Sequence, residues 1–105
     1  MVEFWQISHE VYRVWKEYSS IKAKCEMLME SRKSVIAKIA SEQEGSEAQR
    51  ERIARSHPEY REYLANVRKV RQKELELKFE LDSLQMHFEY LRSMNSLRKK
   101  EIDLI

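Results

Sequence analysis

Apolar residues recur at alternating steps of three and four along two long stretches of the 105-residue chain, and its only glycine and only proline both fall between them. The first line runs Phe4, Ile7, Val11, Val14, Tyr18, Ile21, Cys25 and Leu28; Arg32 interrupts it, and Val35 and Ile39 resume it. A flanking row of Trp15, Met29 and Ile36 widens this stripe. The second line holds Val67, Val70, Leu77, Leu81, Leu84, Phe88, Leu91, Ile102 and Ile105, with Glu74, Asn95 and Arg98 as polar interruptions and Leu64, Leu75, Met94 and Leu97 alongside. Such spacing places one apolar stripe on a helix, and its persistence over several heptads favours coiled-coil-like packing. A small sheet protein would need several tight turns, which draw on glycine and proline. The expected fold class is all-α.

The breaks set the boundaries. A first helix is expected over about residues 3–43, with Gly45 at the C′ position that ends it. Ser46 and Gln49 match a capping box opening a short amphipathic helix over 47–55. Ser56 and Glu59 match a second one around Pro58, which suits a first helical turn. A last helix then spans about 59–104. The chain reads as one helical domain, 1–105, folded as a long antiparallel hairpin with a short helical segment at the turn.

Two paired helices bury one stripe each, so Trp15, Met29, Leu75 and Leu97 are expected to stay partly wet. Small single-core chains are marginal, and long exposed apolar surface marks an interface. Assembly of the hairpin into a homo-oligomeric bundle or ring is the expected remedy. The core and interface candidates are Phe4, Ile7, Val11, Val14, Trp15, Tyr18 and Ile21 on the first helix, and Leu77, Leu81, Leu84, Phe88 and Leu91 on the last.

Catalytic material is sparse. His9, His57 and His87 are scattered and form no His-Glu-x-x-His or Glu-x-x-His pattern. Cys25 lies on the apolar stripe, where cysteine acts as a small hydrophobe. One glycine leaves no phosphate loop. No enzyme activity, metal or cofactor is expected. No 18-residue apolar run or basic leader is present, so no membrane partner and a cytoplasmic location are expected. Arg32 on the core line is expected either to snorkel at its edge or to pair across the hairpin with a carboxylate, Glu74 being a candidate.

Net charge is only +2, from 20 basic and 18 acidic residues, yet the basic residues cluster. Arg68, Lys69, Arg71 and Lys73 lie near the start of the last helix, and Arg98, Lys99 and Lys100 near its end. Lys22, Lys24, Arg32, Lys33 and Lys38 lie on the first. An oligomer would repeat each patch once per subunit, giving a track for a phosphate backbone without base readout. Trp5, Tyr12, Tyr63 and Tyr90 offer stacking faces for unpaired bases where exposed, with an interface role as the alternative for Trp5 and Tyr12.

The segment 15–38 reads Trp15-Lys16-Glu17-Tyr18-Ser19-Ser20-Ile21-Lys22, then Lys24, Glu26-Met27-Leu28 and Arg32-Lys33 through Lys38. It resembles the N-terminal helical region of the UvsY recombination mediators of T-even bacteriophages, where a Trp precedes Ser-Ser-Ile-Lys, Glu-Met-Leu and a basic helix. The resemblance implies a small helical homo-oligomer, phage- or prophage-encoded and acting in the bacterial host cell. It also implies a protein without catalysis or cofactor that binds single-stranded DNA and helps load a RecA-like recombinase while displacing a single-strand-binding protein. It further implies that Lys22, Lys24, Arg32, Lys33 and Lys38 contact DNA, with Trp15 and Ile21 supporting the fold. The near-neutral charge supports the alternative, an oligomeric helical assembly protein whose partner is another protein.

Overall fold

A computed structural model describes residues 4–104, and every regular element among them is an α-helix. The helices are α1 (Phe4–Glu30), α2 (Arg32–Ser41), α3 (Glu47–Ser56) and α4 (Pro58–Leu104). The expected helix start at residue 3 and the place of Ile105 on the second stripe lie outside the described residues. The chain forms two compact units, one built from residues up to Ser20 together with those from Leu75 onward, the other from Ile21 to Glu74.

The expected first helix over 3–43 is divided at Ser31. The Ser31 N–H is shared between the Met27 and Leu28 carbonyls at 3.2 Å each, and its hydroxyl donates back to the Met27 carbonyl at 2.8 Å. A serine that bonds the preceding turn in this way competes with the backbone ladder and bends a helix.

α2 stops earlier than expected, at Ser41, with Glu42 as its C-cap. Gly45 therefore does not occupy the C′ position. It has φ +111 and stands immediately before Ser46, which caps α3. The Ser46 capping box forms as expected: Ser46 Oγ accepts from the Gln49 N–H at 3.3 Å, and Gln49 Oε1 accepts from the Ser46 N–H at 3.1 Å. The second expected box does not form. Ser56 ends α3, its hydroxyl donating to the Ile53 carbonyl at 3.1 Å. His57 takes the capping role for α4, its Nδ1 accepting from the Glu59 N–H at 3.1 Å. Pro58 then sits at the first helical position, where its missing N–H costs nothing.

In the unit ending at Ser20 and resuming at Leu75, α1 and α4 pack antiparallel. Phe4 lies against Phe88, ring centroids 4.7 Å apart, and Arg13 reaches Glu80 at 3.8 Å. Ile7, Val14, Leu77 and Leu81 are buried, and Val11, Tyr18, Leu84, Phe88 and Leu91 half-buried. These are the residues that the three–four spacing selects. Trp15, by contrast, is about half exposed, as are Leu75 and Leu97.

In the Ile21–Glu74 unit, α3 folds back on α2 and a compact cluster forms from Ile36, Ile39, Ala54 and Tyr60, with Val35, Ala40, Tyr63 and Leu64 around it. Ile21 and Leu28 are half-buried and Cys25 is buried. Ile36, on the flanking row of the first stripe, is buried in this cluster. On α3 the large Ile53 points outward while Ala54 is fully buried, because a small side chain permits the close approach of two short helices. Within this unit α1 also meets α4, the Tyr63 hydroxyl donating to the Leu28 carbonyl.

Candidate nucleic-acid interface

The two units differ in charge. The Ile21–Glu74 unit holds 13 basic and nine acidic residues, and the other unit seven and nine. A chain that is nearly neutral overall is thus net basic in one unit and net acidic in the other. Lys22, Lys24, Lys33, Lys38, Arg68, Lys69, Arg71 and Lys73 all lie exposed in the basic unit. Arg98, Lys99 and Lys100 are exposed too, but belong to the acidic one.

Helical geometry decides which of these side chains share a face. Residues four apart project within about 40° of each other and residues two apart about 200° apart. Lys69 and Lys73 therefore form one short row on α4, while Arg68 and Arg71, three apart, form another on the opposite flank, about 150° round the helix. Lys22 and Lys24 stand on opposite flanks of α1, so the resemblance-derived set does not make a single row. Arg32 is neither a loose snorkel nor a partner of Glu74. Its Nε donates to the hydroxyl of the buried Tyr60 at 3.0 Å, since α3 and the start of α4, rather than residues in the low seventies, stand against it.

Glu74 faces the Cys25 thiol instead. Burial first, then hydrogen bonding to and repulsion from the Glu74 carboxylate, push the Cys25 thiol above its ordinary value. A thiol held protonated in an apolar seam is poorly suited to nucleophilic attack. Burial likewise pushes the Tyr63 hydroxyl up, with a smaller contribution from neighbouring Tyr60. Tyr63 is half-buried with its hydroxyl committed to Leu28, so it is removed from the set of stacking faces; Trp5, Tyr12 and Tyr90 remain exposed.

A basic lining between α2 and α3 joins Lys33 to Arg50 and Arg55, which the sequence pattern does not single out. A cavity of about 460 Å³ is bordered by Lys33, Arg50 and Arg55, by Glu47 and Glu51, and by the small apolar surface of Ile36, Ala37 and Ala40. Arg55 is tied to Glu51 at 3.0 Å, whereas the Arg50 Nε is buried without a partner among the described residues. The signal is present in the Arg50-Glu51-Arg52-Ile53-Ala54-Arg55 run, but a turn element gives no reason to expect a second helix against it.

Among the described residues no group of three or more His, Cys, Asp or Glu side chains is placed to hold a metal ion. No helix there is long and apolar enough to cross a membrane. In comparisons with known proteins, no family model, no curated protein and no solved structure matches the chain.

Proposed function

We propose that the chain is a non-enzymatic, self-associating accessory protein that holds single-stranded DNA by its backbone and assists the loading of a RecA-like recombinase against a single-strand-binding protein. The observation that carries this reading is the separation of charge. Exposed Lys and Arg side chains concentrate in the Ile21–Glu74 unit, which also contains most of the segment resembling the UvsY mediators. A surface of this kind binds phosphates by counterion release and reads no sequence. The Lys69–Lys73 row, the Arg68–Arg71 row on the opposite flank of α4 and the Lys33–Arg50 lining are its contact points.

A salt titration of fluorescence anisotropy with single- and double-stranded oligonucleotides tests it. Preference for the single strand, with affinity falling steeply as salt rises, is the expected result. Absence of binding to either DNA at low salt overturns the nucleic-acid reading. The second reading, an assembly protein with a protein partner, then takes its place, and it rests on the large apolar side chains left exposed on α4.

A further inference from the structure

We infer that a second copy of this chain packs antiparallel against the outer face of α4 between Leu75 and Leu104. α4 has two apolar faces. The inner one, Leu77, Leu81, Leu84, Phe88 and Leu91, meets α1. The outer one consists of Leu75, Phe79, Met86, Tyr90, Leu97 and Leu104, which are 55, 80, 73, 62, 53 and 87% exposed. At about 100° per residue all six fall within roughly 60° of arc, with Phe79 and Met86 on the side opposite Leu77 and Leu84. Their steps of four and seven match the seam of a helix pair rather than scattered surface apolars. The 29 intervals from Leu75 to Leu104 span about 44 Å. Six large side chains over that length, the aromatic ones each worth about 150–250 Å² when fully buried, approach the roughly 800 Å² per partner of a stable interface.

Charge selects both the occupant and its direction. From residue 75 to 90 the charged residues are Glu76, Lys78, Glu80, Asp82 and Glu89, a net acidic half; from 91 to 104 they are Arg92, Arg98, Lys99, Lys100, Glu101 and Asp103, a net basic half. The segment is therefore complementary to itself only when reversed. A two-fold antiparallel pairing that sets Phe79 of each copy opposite Leu97 of the other brings Met86 opposite Tyr90 near the axis. It also places Arg98 of each copy between Glu76 and Glu80 of the other. Parallel pairing aligns acid with acid. Such a closed, self-complementary contact is the ordinary form of a homodimer interface.

This inference rests on the self-association part of the function proposed above, and oligomeric state and DNA binding are to be read on the same samples. Light scattering and analytical ultracentrifugation of the full chain at tens of micromolar are expected to give an assembly of at least two copies. Phe79→Glu and Met86→Glu, both on exposed positions, are expected to weaken it at least about tenfold with helical circular dichroism unchanged. Arg98→Glu is expected to weaken it as well, and the double variant Glu76→Arg, Arg98→Glu, which leaves the intrachain Arg13–Glu80 pair in place, to restore it. A monomeric wild-type chain, a Phe79→Glu chain that still assembles, or failure of the double variant to recover overturns the inference. A monomer that binds single-stranded DNA removes this interface alone, and an assembly that ignores DNA removes the nucleic-acid reading alone.

Discussion

The Arg32 guanidinium donates its Nε–H to the Tyr60 hydroxyl across 3.0 Å, joining the first residue of α2 to the third of α4. Tyr60 is 4% exposed, and its ring lies 6.0 Å from that of Tyr63, so its hydroxyl edge is the polar end of an otherwise apolar plug. Tyr60→Phe keeps the plug and removes only the acceptor. It is expected to cost about 1 kcal/mol, with a fall in Tm of a few degrees by circular dichroism. Tyr60→Ala also opens a cavity beneath Ile36 and Ile39 and is expected to cost about 3–5 kcal/mol. Equal costs for the two variants in urea titrations would assign the stabilisation to the hydrogen bond alone and contradict this account.

Gly45 stands at φ +111, and a Cβ there would come within 2.7 Å of Gln49 Oε1, the atom that closes the α3 capping box. An L side chain meets two penalties at this position, the left-handed backbone and displacement of the cap. Gly45→Ala is therefore expected to cost about 1–2 kcal/mol, more than Ser46→Ala at about 1 kcal/mol. Chemical denaturation of both single variants checks the order. Because the Ala change already disturbs Gln49, the double variant is expected to cost less than the sum of the two.

The long stripes are legible in the sequence because burial on a helix obeys a short period: Ile7, Val14, Cys25, Leu77 and Leu81 are buried where the three–four spacing puts them. What stays hidden is decided by geometry at single residues. Nothing in the spacing of Val35 and Ile39 announces that Ser31 turns its hydroxyl onto Met27, so α1 and α2 read as one helix. The second capping box fails because two side chains compete for the same start. The imidazole of His57 stands next to the α4 N–H groups, whereas Ser56 still belongs to α3. Matching Arg32 to Glu74 requires a turn that adds no bulk, but α3 folds against α2 through Ala54, and Tyr60 arrives opposite Arg32 instead. Basic residues can be counted along the chain; their grouping depends on helical angle, which splits Lys22 from Lys24, and on packing, which joins Lys33 to Arg50 and Arg55.

Cys25 gives the pH dependence. Its thiol is raised above the ordinary value of 9.0, by burial first and by Glu74 second. A group whose folded value is raised holds its proton more tightly in the folded chain. The stability it lends is complete below the unfolded value and is lost as pH climbs through the folded one. Thermal melts are therefore expected to show stability declining as pH rises beyond the ordinary thiol range. Cys25→Ala is expected to have a lower Tm at neutral pH, because it leaves a gap in the seam, but a flatter alkaline decline. Native-state labelling by a thiol reagent at mildly alkaline pH is expected to be slow and to become fast in urea. Rapid labelling of the native chain would contradict the burial of this thiol.

The basic rows on α4 make the last prediction, which separates a phosphate track from a merely solvated face. Lys69 and Lys73 share one row and Arg68 and Arg71 another on the opposite flank, all exposed, so removing them should not disturb packing. Lys69→Ala with Lys73→Ala is expected to weaken single-stranded DNA binding and to lower the slope of log affinity against log salt by about 1 for each phosphate that the variant no longer neutralises. The same change made at Lys99 and Lys100, in the unit that carries net acidic charge, is expected to have a smaller effect. Arg32→Ala is expected to behave differently again. Its guanidinium is engaged by Tyr60, so the variant should lose thermal stability in step with Tyr60→Phe while moving the salt slope least. An Arg32→Ala chain with unchanged Tm and a salt slope reduced as far as the Lys69/Lys73 pair would show that Arg32 serves the DNA rather than the fold. Unchanged binding in the Lys69/Lys73 variant would remove that row from the track.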